Sequence, residues 1–255
     1  FQREAETLEH LGTHNQIPQL LAHFEEQDEF YLVQEYIDGR SLAEELNLGS
    51  LQRRLPEKKV VSMLHELLNV LEFVHQQGVI HRDIKPGNII RRNLDGKLVL
   101  IDFGAVKQLQ NLEENHPAPT QLTVAIGTDG YMAPEQADGR PCPASDLYSV
   151  GITAIQALTG MSASDLKQKR DPRTTELIWK EDTPVSHTLA SLLDKMVAYK
   201  FTERYVSANE ALKDLEPLIQ YTEQSLDDDD SLPPPSLLNE DLAELGETKP
   251  WPEAL

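Results

Sequence analysis

Two short apolar runs, Ile89-Ile90 and Leu98-Val99-Leu100-Ile101, flank a segment that contains Asp95-Gly96. An Asp-Gly pair adopts the turn that joins two antiparallel strands without splaying them, so this stretch is expected to fold back as a hairpin. Counting outward from the turn puts Asn88 just beyond one strand and Asp102 just beyond the other. The two polar side chains should then share one rim of a sheet, with Asp83 and Lys85 just upstream. Carboxylate and amide oxygens so arranged suit a hard cation such as magnesium.

Around this hairpin the pattern is mainly helical. Pro56 is expected just inside a helix start, and Val60, Leu64, Leu67, Leu68, Leu71 and Val74 recur on one face before Gly78 ends the run. A second stripe, Leu147 to Leu158, stops at Gly160, and a third runs from Leu189 to Val197. Ser41 with Glu44 and Ser207 with Glu210 have the spacing at which hydroxyl and carboxylate each satisfy a first-turn amide. Phe30-Tyr31-Leu32-Val33 reads as a short strand. Core packing accounts for the stripes, and no chemistry is assigned to them.

The 255 residues carry 23 Lys and Arg against 43 Asp and Glu, a net charge of −20. Such a chain has no general attraction for nucleic acid or anionic lipid, both of which need cations to displace counterions. The single cysteine, Cys142, excludes an intramolecular disulfide and a Cys-rich zinc site, which fits a reducing, cytoplasmic setting. No apolar run is long enough for a membrane helix, and the first residues lack a signal-peptide pattern. The surplus charge is concentrated from Glu223 to Leu255, where ten acidic residues face one Lys and Pro233-Pro234-Pro235 follows an Asp run. That segment buries too little to offset its ordering entropy and is expected to be a flexible tail.

His81-Arg82-Asp83-Ile84-Lys85-Pro86-Gly87-Asn88, Asp102-Phe103-Gly104 and Ala133-Pro134-Glu135, in this order, resemble the catalytic loop, metal-binding triplet and activation-segment end of the eukaryotic-type serine/threonine protein kinases. A lone triplet would carry little weight, but the set in register is specific. The resemblance covers roughly residues 1–221. It implies an α+β, protein-kinase-like fold: a remnant of the small β-rich lobe and hinge over 1–36, a mainly helical large lobe over 37–222 and the acidic tail over 223–255. It implies ATP and magnesium as cofactors and protein Ser or Thr hydroxyls as acceptors. Asp83 would orient the acceptor hydroxyl and take its proton, Lys85 would place a charge on the γ-phosphate, and Asn88 and Asp102 would hold the metal. Glu35 and Ile37 would offer hinge backbone to the adenine, behind which Gln34 would limit the pocket.

The same resemblance assigns Arg82 to a phosphorylated activation loop, with Thr120 and Thr123 as candidate acceptors of that phosphate. Thr128 would pack beside Asp83. Glu135 would pair with Arg204, and Asp146 would hold the backbone of the catalytic loop. Glu4 is expected to pair with an ATP-anchoring lysine, yet that lysine and the glycine-rich loop that covers the phosphates are not found in the 255 residues. The chain is therefore expected to be a fragment, truncated at its N-terminus, of an active kinase, inactive by itself and with exposed apolar surface near Phe30. The alternative is a kinase-like scaffold that docks partners without catalysis. A small-molecule phosphotransferase shares the metal logic but not the Ala133-Pro134-Glu135 segment. Oligomeric state, stimulus and protein substrate leave no mark in the sequence.

Overall fold

The computed structural model describes residues 2–27, 29–46, 54–103, 107–108, 127–181 and 183–227, with the backbone alone at 2–4, 107–108 and 222–227. Contacts divide the chain into two compact units, Phe1–Ile219 and Gln220–Leu255. The first opens with helix α1 (Gln2–Leu11), which buries Ala5, Leu8 and Leu11, and continues into an antiparallel pair, β1 (Leu20–Glu26) and β2 (Glu29–Gln34). Facing residues Phe24 and Tyr31 stack at 5.2 Å between ring centroids. Only Leu20 of β1 is even half-buried, and Leu21, Phe24, Phe30, Tyr31 and Val33 all expose apolar surface. Leu20 and Leu32 are partly buried against the core, but a two-stranded ribbon with so little cover gains little from burial.

The strand read from Phe30–Val33 is thus β2, extended by one residue at each end. Its partner β1 was not expected, because Leu-Leu-Ala-His-Phe-Glu-Glu alternates with neither face of a sheet. Past Gln34 the chain runs extended through Ile37 and enters β3 (Gly39–Ser41), which pairs with β5 (Ile89–Arg92). β5 in turn pairs with β6 (Leu98–Leu100), as the hairpin reading required, and β4 (Val79–Ile80) pairs with β7 (Lys107–Gln108). Gly39 is where backbone meets backbone: a Cβ there would lie 2.2 Å from the Arg91 carbonyl oxygen.

Helix α2 (Leu42–Leu46) starts at a complete capping box. The Glu44 N–H donates to Ser41 Oγ at 3.2 Å, and the Ser41 N–H to Glu44 Oε2 at 2.9 Å. At the start of α8 (Ala208–Asp227) the reciprocity differs. Ser207 Oγ accepts from Glu210 N–H at 3.3 Å, but the Glu210 carboxylate takes the N–H of Val206 at 3.0 Å rather than that of Ser207. α8 continues to Asp227, inside the segment read as tail; residues 228–255 lie outside the described residues.

α3 (Glu57–Gln76) buries the whole expected stripe, with Pro56 just outside it as N-cap and Gly78 at φ 68° after it. Between α3 and α7 (His187–Met196) lies α5 (Pro143–Thr159), whose residues are buried on nearly every side and which ends at left-handed Gly160. Gly151 lets α5 approach the end of α7, since a Cβ there would meet Val197 Cγ1 at 2.7 Å. Short helices α4 (Pro134–Ala137) and α6 (Ala163–Gln168) flank α5 in sequence. This is a mixed α+β architecture in which α3 packs against both β4 and β6 and against α5. Among the described residues no helix is long and apolar enough to cross a membrane.

Gly39→Ala should lower the unfolding free energy by about 1–3 kcal/mol, because the nearest atom, the Arg91 carbonyl oxygen, is backbone fixed in β5 and the Ile90 side chain crowds the same space at 2.7 Å. Gly96→Ala meets no neighbour within 4 Å and carries only the left-handed strain of φ 72°, about 1–2 kcal/mol. Urea midpoints of the two variants measure the difference; equal and negligible shifts would show that β3 does not need the close approach.

Candidate active site

β4 delivers His81 into the interior, and the loop from His81 to Lys85 leads through a 3-10 turn at Pro86–Asn88 into β5. His81 is fully buried, edge-on to Phe103 at 4.6 Å. Its Nε2 lies 3.1 Å from the Ile101 carbonyl oxygen, so Nε2 carries the proton and Nδ1 is left to accept the Asp83 N–H at 3.3 Å. Burial holds the imidazole pKa below its ordinary value, against the pull of Asp146, Asp83 and Asp102. A neutral ring with a fixed tautomer therefore anchors the loop.

Asp146, wholly buried on α5, accepts the N–H of Arg82 on Oδ1 at 2.9 Å, and on Oδ2 both the N–H of His81 and Nε2 of His75, each at 2.9 Å. Burial opposes its charge, but the His75 bond, the field of His75 and the Arg82 amide outweigh it and hold the carboxyl below the usual range. Arg82 adopts φ 73°, rare for a residue with a side chain, and its Nε has no hydrogen-bond partner among the described residues. His75 was not anticipated: at the end of an apolar helical stripe it carries no signal apart from packing.

Three candidate side chains converge on Asp83. Its Oδ2 accepts from Lys85 Nζ at 2.7 Å and Asn88 Nδ2 at 3.0 Å, and its Oδ1 from Thr128 Oγ1 at 2.8 Å. Lys85 Nζ also donates to Thr128 Oγ1 at 2.8 Å, which closes a triangle of carboxylate, ammonium and hydroxyl. Burial alone would raise the Asp83 pKa, yet the bonds from Lys85, Thr128 and Asn88 together hold it below the ordinary value. The carboxylate is thus anionic throughout the neutral range.

Asn88 also donates Nδ2 to the Asp83 carbonyl at 2.8 Å, which commits its amide nitrogen to Asp83 and leaves Oδ1 as its oxygen ligand. The Ile101 N–H donates to the Asn88 carbonyl at 2.9 Å, and the next residue, Asp102, turns out to solvent at φ 66°. The hairpin register thus brings Asn88 and Asp102 to one rim. Among the described residues no three His, Cys, Asp or Glu side chains gather into a metal site. One carboxylate and one amide oxygen fit magnesium, which keeps few protein ligands and takes the rest from water and phosphate.

Farther out, Arg204 Nη1 and Nη2 donate to Glu135 Oε1 and Oε2 at 2.8 and 3.0 Å, with the guanidinium over the Tyr148 ring and further bonded to three backbone carbonyls. Ser145 Oγ donates to Glu135 Oε1 at 2.6 Å. Gln136, next to Glu135, donates Nε2 to the Arg82 carbonyl at 2.5 Å, a contact that no spacing in the sequence announces. Glu35 and Ile37 lie on the extended stretch between β2 and β3, where the Glu35 N–H donates to the Gln19 carbonyl at 2.8 Å and Ile37 is buried. The Glu4 side chain, Gly104, Thr120 and Thr123 lie outside the described residues.

A loop pinned by a buried aspartate, an aspartate–lysine–threonine triangle and an oxygen pair at a hairpin rim make up the candidate site. The chain belongs to the protein kinase domain family, whose profile matches residues 1–215. It is similar to serine/threonine-protein kinase C of Synechocystis sp., 49% identical over 210 residues that cover 82% of this chain and 38% of that protein. It is also similar to serine/threonine-protein kinase PknA of Nostoc sp., 46% identical over 218 residues that cover 85% of the chain and 38% of that protein. At 30% identity it resembles a probable serine/threonine-protein kinase of Streptomyces coelicolor, over 85% of the chain. The chain thus spans about two fifths of the length of the curated cyanobacterial relatives it matches.

Glu135→Ala should cost about 3–5 kcal/mol of stability, because it strands the Arg204 charge in the interior. Replacing Glu135 and Arg204 together by apolar residues should recover part of that loss in denaturant titrations, and a single variant as stable as the parent would remove the pair from the scaffold. His81 gives a separate expectation. Its folded-state pKa lies below the ordinary 6.5, so the folded state binds fewer protons, and its contribution is complete above pH 6.5 and erodes as pH falls toward the lowered value. The stability curve of His81→Phe should therefore fall less steeply than that of the parent below pH 6.5; parallel curves would mean that the ring does not need to stay neutral.

Proposed function

We propose that this chain is the catalytic-domain portion of a protein that transfers the γ-phosphate of ATP to Ser or Thr hydroxyls of other proteins. The observation that carries the reading is the closed triangle of Asp83, Lys85 and Thr128 beside the Asn88 and Asp102 rim. Relatives named as serine/threonine kinases support the acceptor class. A Lys two residues after the aspartate accompanies the same class in the family that the motifs resemble.

Phosphoryl transfer asks the protein chiefly to position the reactants and stabilise charge. Asp83, with a pKa held down, is a weak base, so its first task is orientation: an acceptor hydroxyl that displaces Thr128 or Lys85 from one carboxylate oxygen is aimed by it and loses its proton to it late in the transfer. Lys85 sits on the same carboxylate and would turn its ammonium to the phosphoryl oxygens. Thr128 fixes the wall against which the acceptor residue lies. Asn88 Oδ1 and the Asp102 carboxylate would hold magnesium, which supplies neutralisation of the ATP phosphates. Glu35 and Ile37 would meet the adenine, and Glu4 an anchoring lysine. Arg82, buried and with its Nε unpartnered among the described residues, would receive a phosphate carried by Thr120 or Thr123. The cell compartment proposed is the cytoplasm.

In the full-length gene product, Asp83→Ala should lower phosphate incorporation into a generic Ser- and Thr-containing protein by about 10²–10⁴-fold. Equal incorporation by parent and variant would overturn the mechanism and favour a docking module without catalysis.

A further inference from the structure

Arg82 is held at both of its backbone polar groups. Its N–H donates to Asp146 on α5 at 2.9 Å, and its carbonyl accepts Nε2 of Gln136, from α4, at 2.5 Å. Gln136 is 2% exposed. Between these two bonds the Arg82 backbone is kept left-handed at φ 73°, a state that a residue with a Cβ holds only where its surroundings impose it. The carbonyl that Gln136 grips belongs to the peptide from which Asp83 emerges.

The route by which Gln136 reaches that carbonyl is specific. It passes Gly127, at φ 145°, where a Cβ would stand 2.7 Å from Gln136 Nε2, 2.9 Å from Met132 Cε and 3.2 Å from the Arg82 oxygen. A side chain at 127 would occupy the space of the bond. Gly127 also directly precedes Thr128, which donates to Asp83 Oδ1. One short stretch of chain therefore contacts the catalytic loop twice, through a hydroxyl on the carboxylate and through an amide on the backbone behind it.

We propose that Gln136 is a positioning residue for the transfer: its amide clamps the Arg82 carbonyl and thereby aims Asp83, and the clamp closes only when the stretch that carries Gly127 is seated against the loop. This rests on the kinase reading above. The clamp is separate from the Asp146 bond, which reaches the Arg82 N–H from α5, a helix that also holds the 127–136 stretch through Ser145 on Glu135 and Ser149 on the Tyr131 carbonyl. It makes the aim of Asp83 respond to the seating of a segment up to 54 residues away in sequence.

The test uses the full-length protein with Gln136→Met, which keeps length and volume but removes the donor. The expected result is a fall in kcat of roughly 10²-fold with KM for ATP and for the protein acceptor within about twofold of the parent. Amide hydrogen exchange should quicken over His81–Ile84 while α3 and α5 keep their protection, a local change that a general loss of folding would not produce. Gly127→Ala, which blocks the bond from the other side, should show the same exchange signature, and it decides the matter if Gln136→Met does not fold. Unchanged kcat, or unchanged exchange over His81–Ile84, would overturn the clamp. Should the parent show no Asp83-dependent phosphate incorporation, the kinase reading falls instead, and the exchange measurement alone still decides whether Gln136 holds the loop.

Discussion

A single buried carboxylate organises the site. Asp146 gathers two consecutive backbone amides and an imidazole nitrogen onto two oxygens, and it does so from the first turn of a helix that is packed on nearly all sides. An ionised carboxylate in such a place is costly unless it is fully bonded, and three donors supply that compensation. The cost is also the source of precision. A loop with an unusual left-handed residue would relax if it were tied to a mobile surface group, whereas α5 is fixed by α3 below and α7 behind. Asp83 inherits its position from this arrangement, through His81 Nδ1 on one side and the Arg82 peptide on the other.

The triangle around Asp83 then divides labour between local and distant chain. Lys85 and Asn88 come from the same loop and the turn that follows it, so their approach is set by five residues of backbone. Thr128 comes from far along the chain and arrives only with its own segment. Charge compensation of Asp83 is thus partly intrinsic and partly conditional, which is what the proposed exchange of one partner for an incoming hydroxyl would require. The hinge stretch, the rim of the hairpin and this triangle all sit on strands or turns that border the helices, so the reactive groups lie on the short elements and the rigidity lies in the long ones.

Much of this was legible in the residues because the signals were local. Asp95-Gly96 between apolar runs signalled a turn and hence the antiparallel pairing; the register itself, Ile89 with Leu100, is set by the longer connection 93–96, since a two-residue turn at Asp95-Gly96 would have paired Ile89 with Asp102. The stripe from Val60 to Val74 and the stop at Gly78 were equally direct. Contacts that no period encodes stayed hidden. Gln136 lies in a helix of four residues, too short for a pattern, and its partner is a main-chain oxygen. β1 went unread because a strand exposed along nearly all of its length needs no alternation, and Gly39 because a close approach of backbones leaves no trace in either strand's own composition. The placements come from such physical signals; the roles given to the placed residues come from family resemblance.

The pair of Glu135 and Arg204 has an implication for ionic strength. Its guanidinium is fully enclosed, so dissolved ions cannot reach between the partners, while exposed pairs such as Lys167 with Asp129 or Lys200 with Glu203 are open to screening. In a chain with 43 carboxylates and 23 cationic side chains, electrolyte acts mainly on repulsion among the surplus anions. Brine would relax the periphery and leave the interior tie untouched.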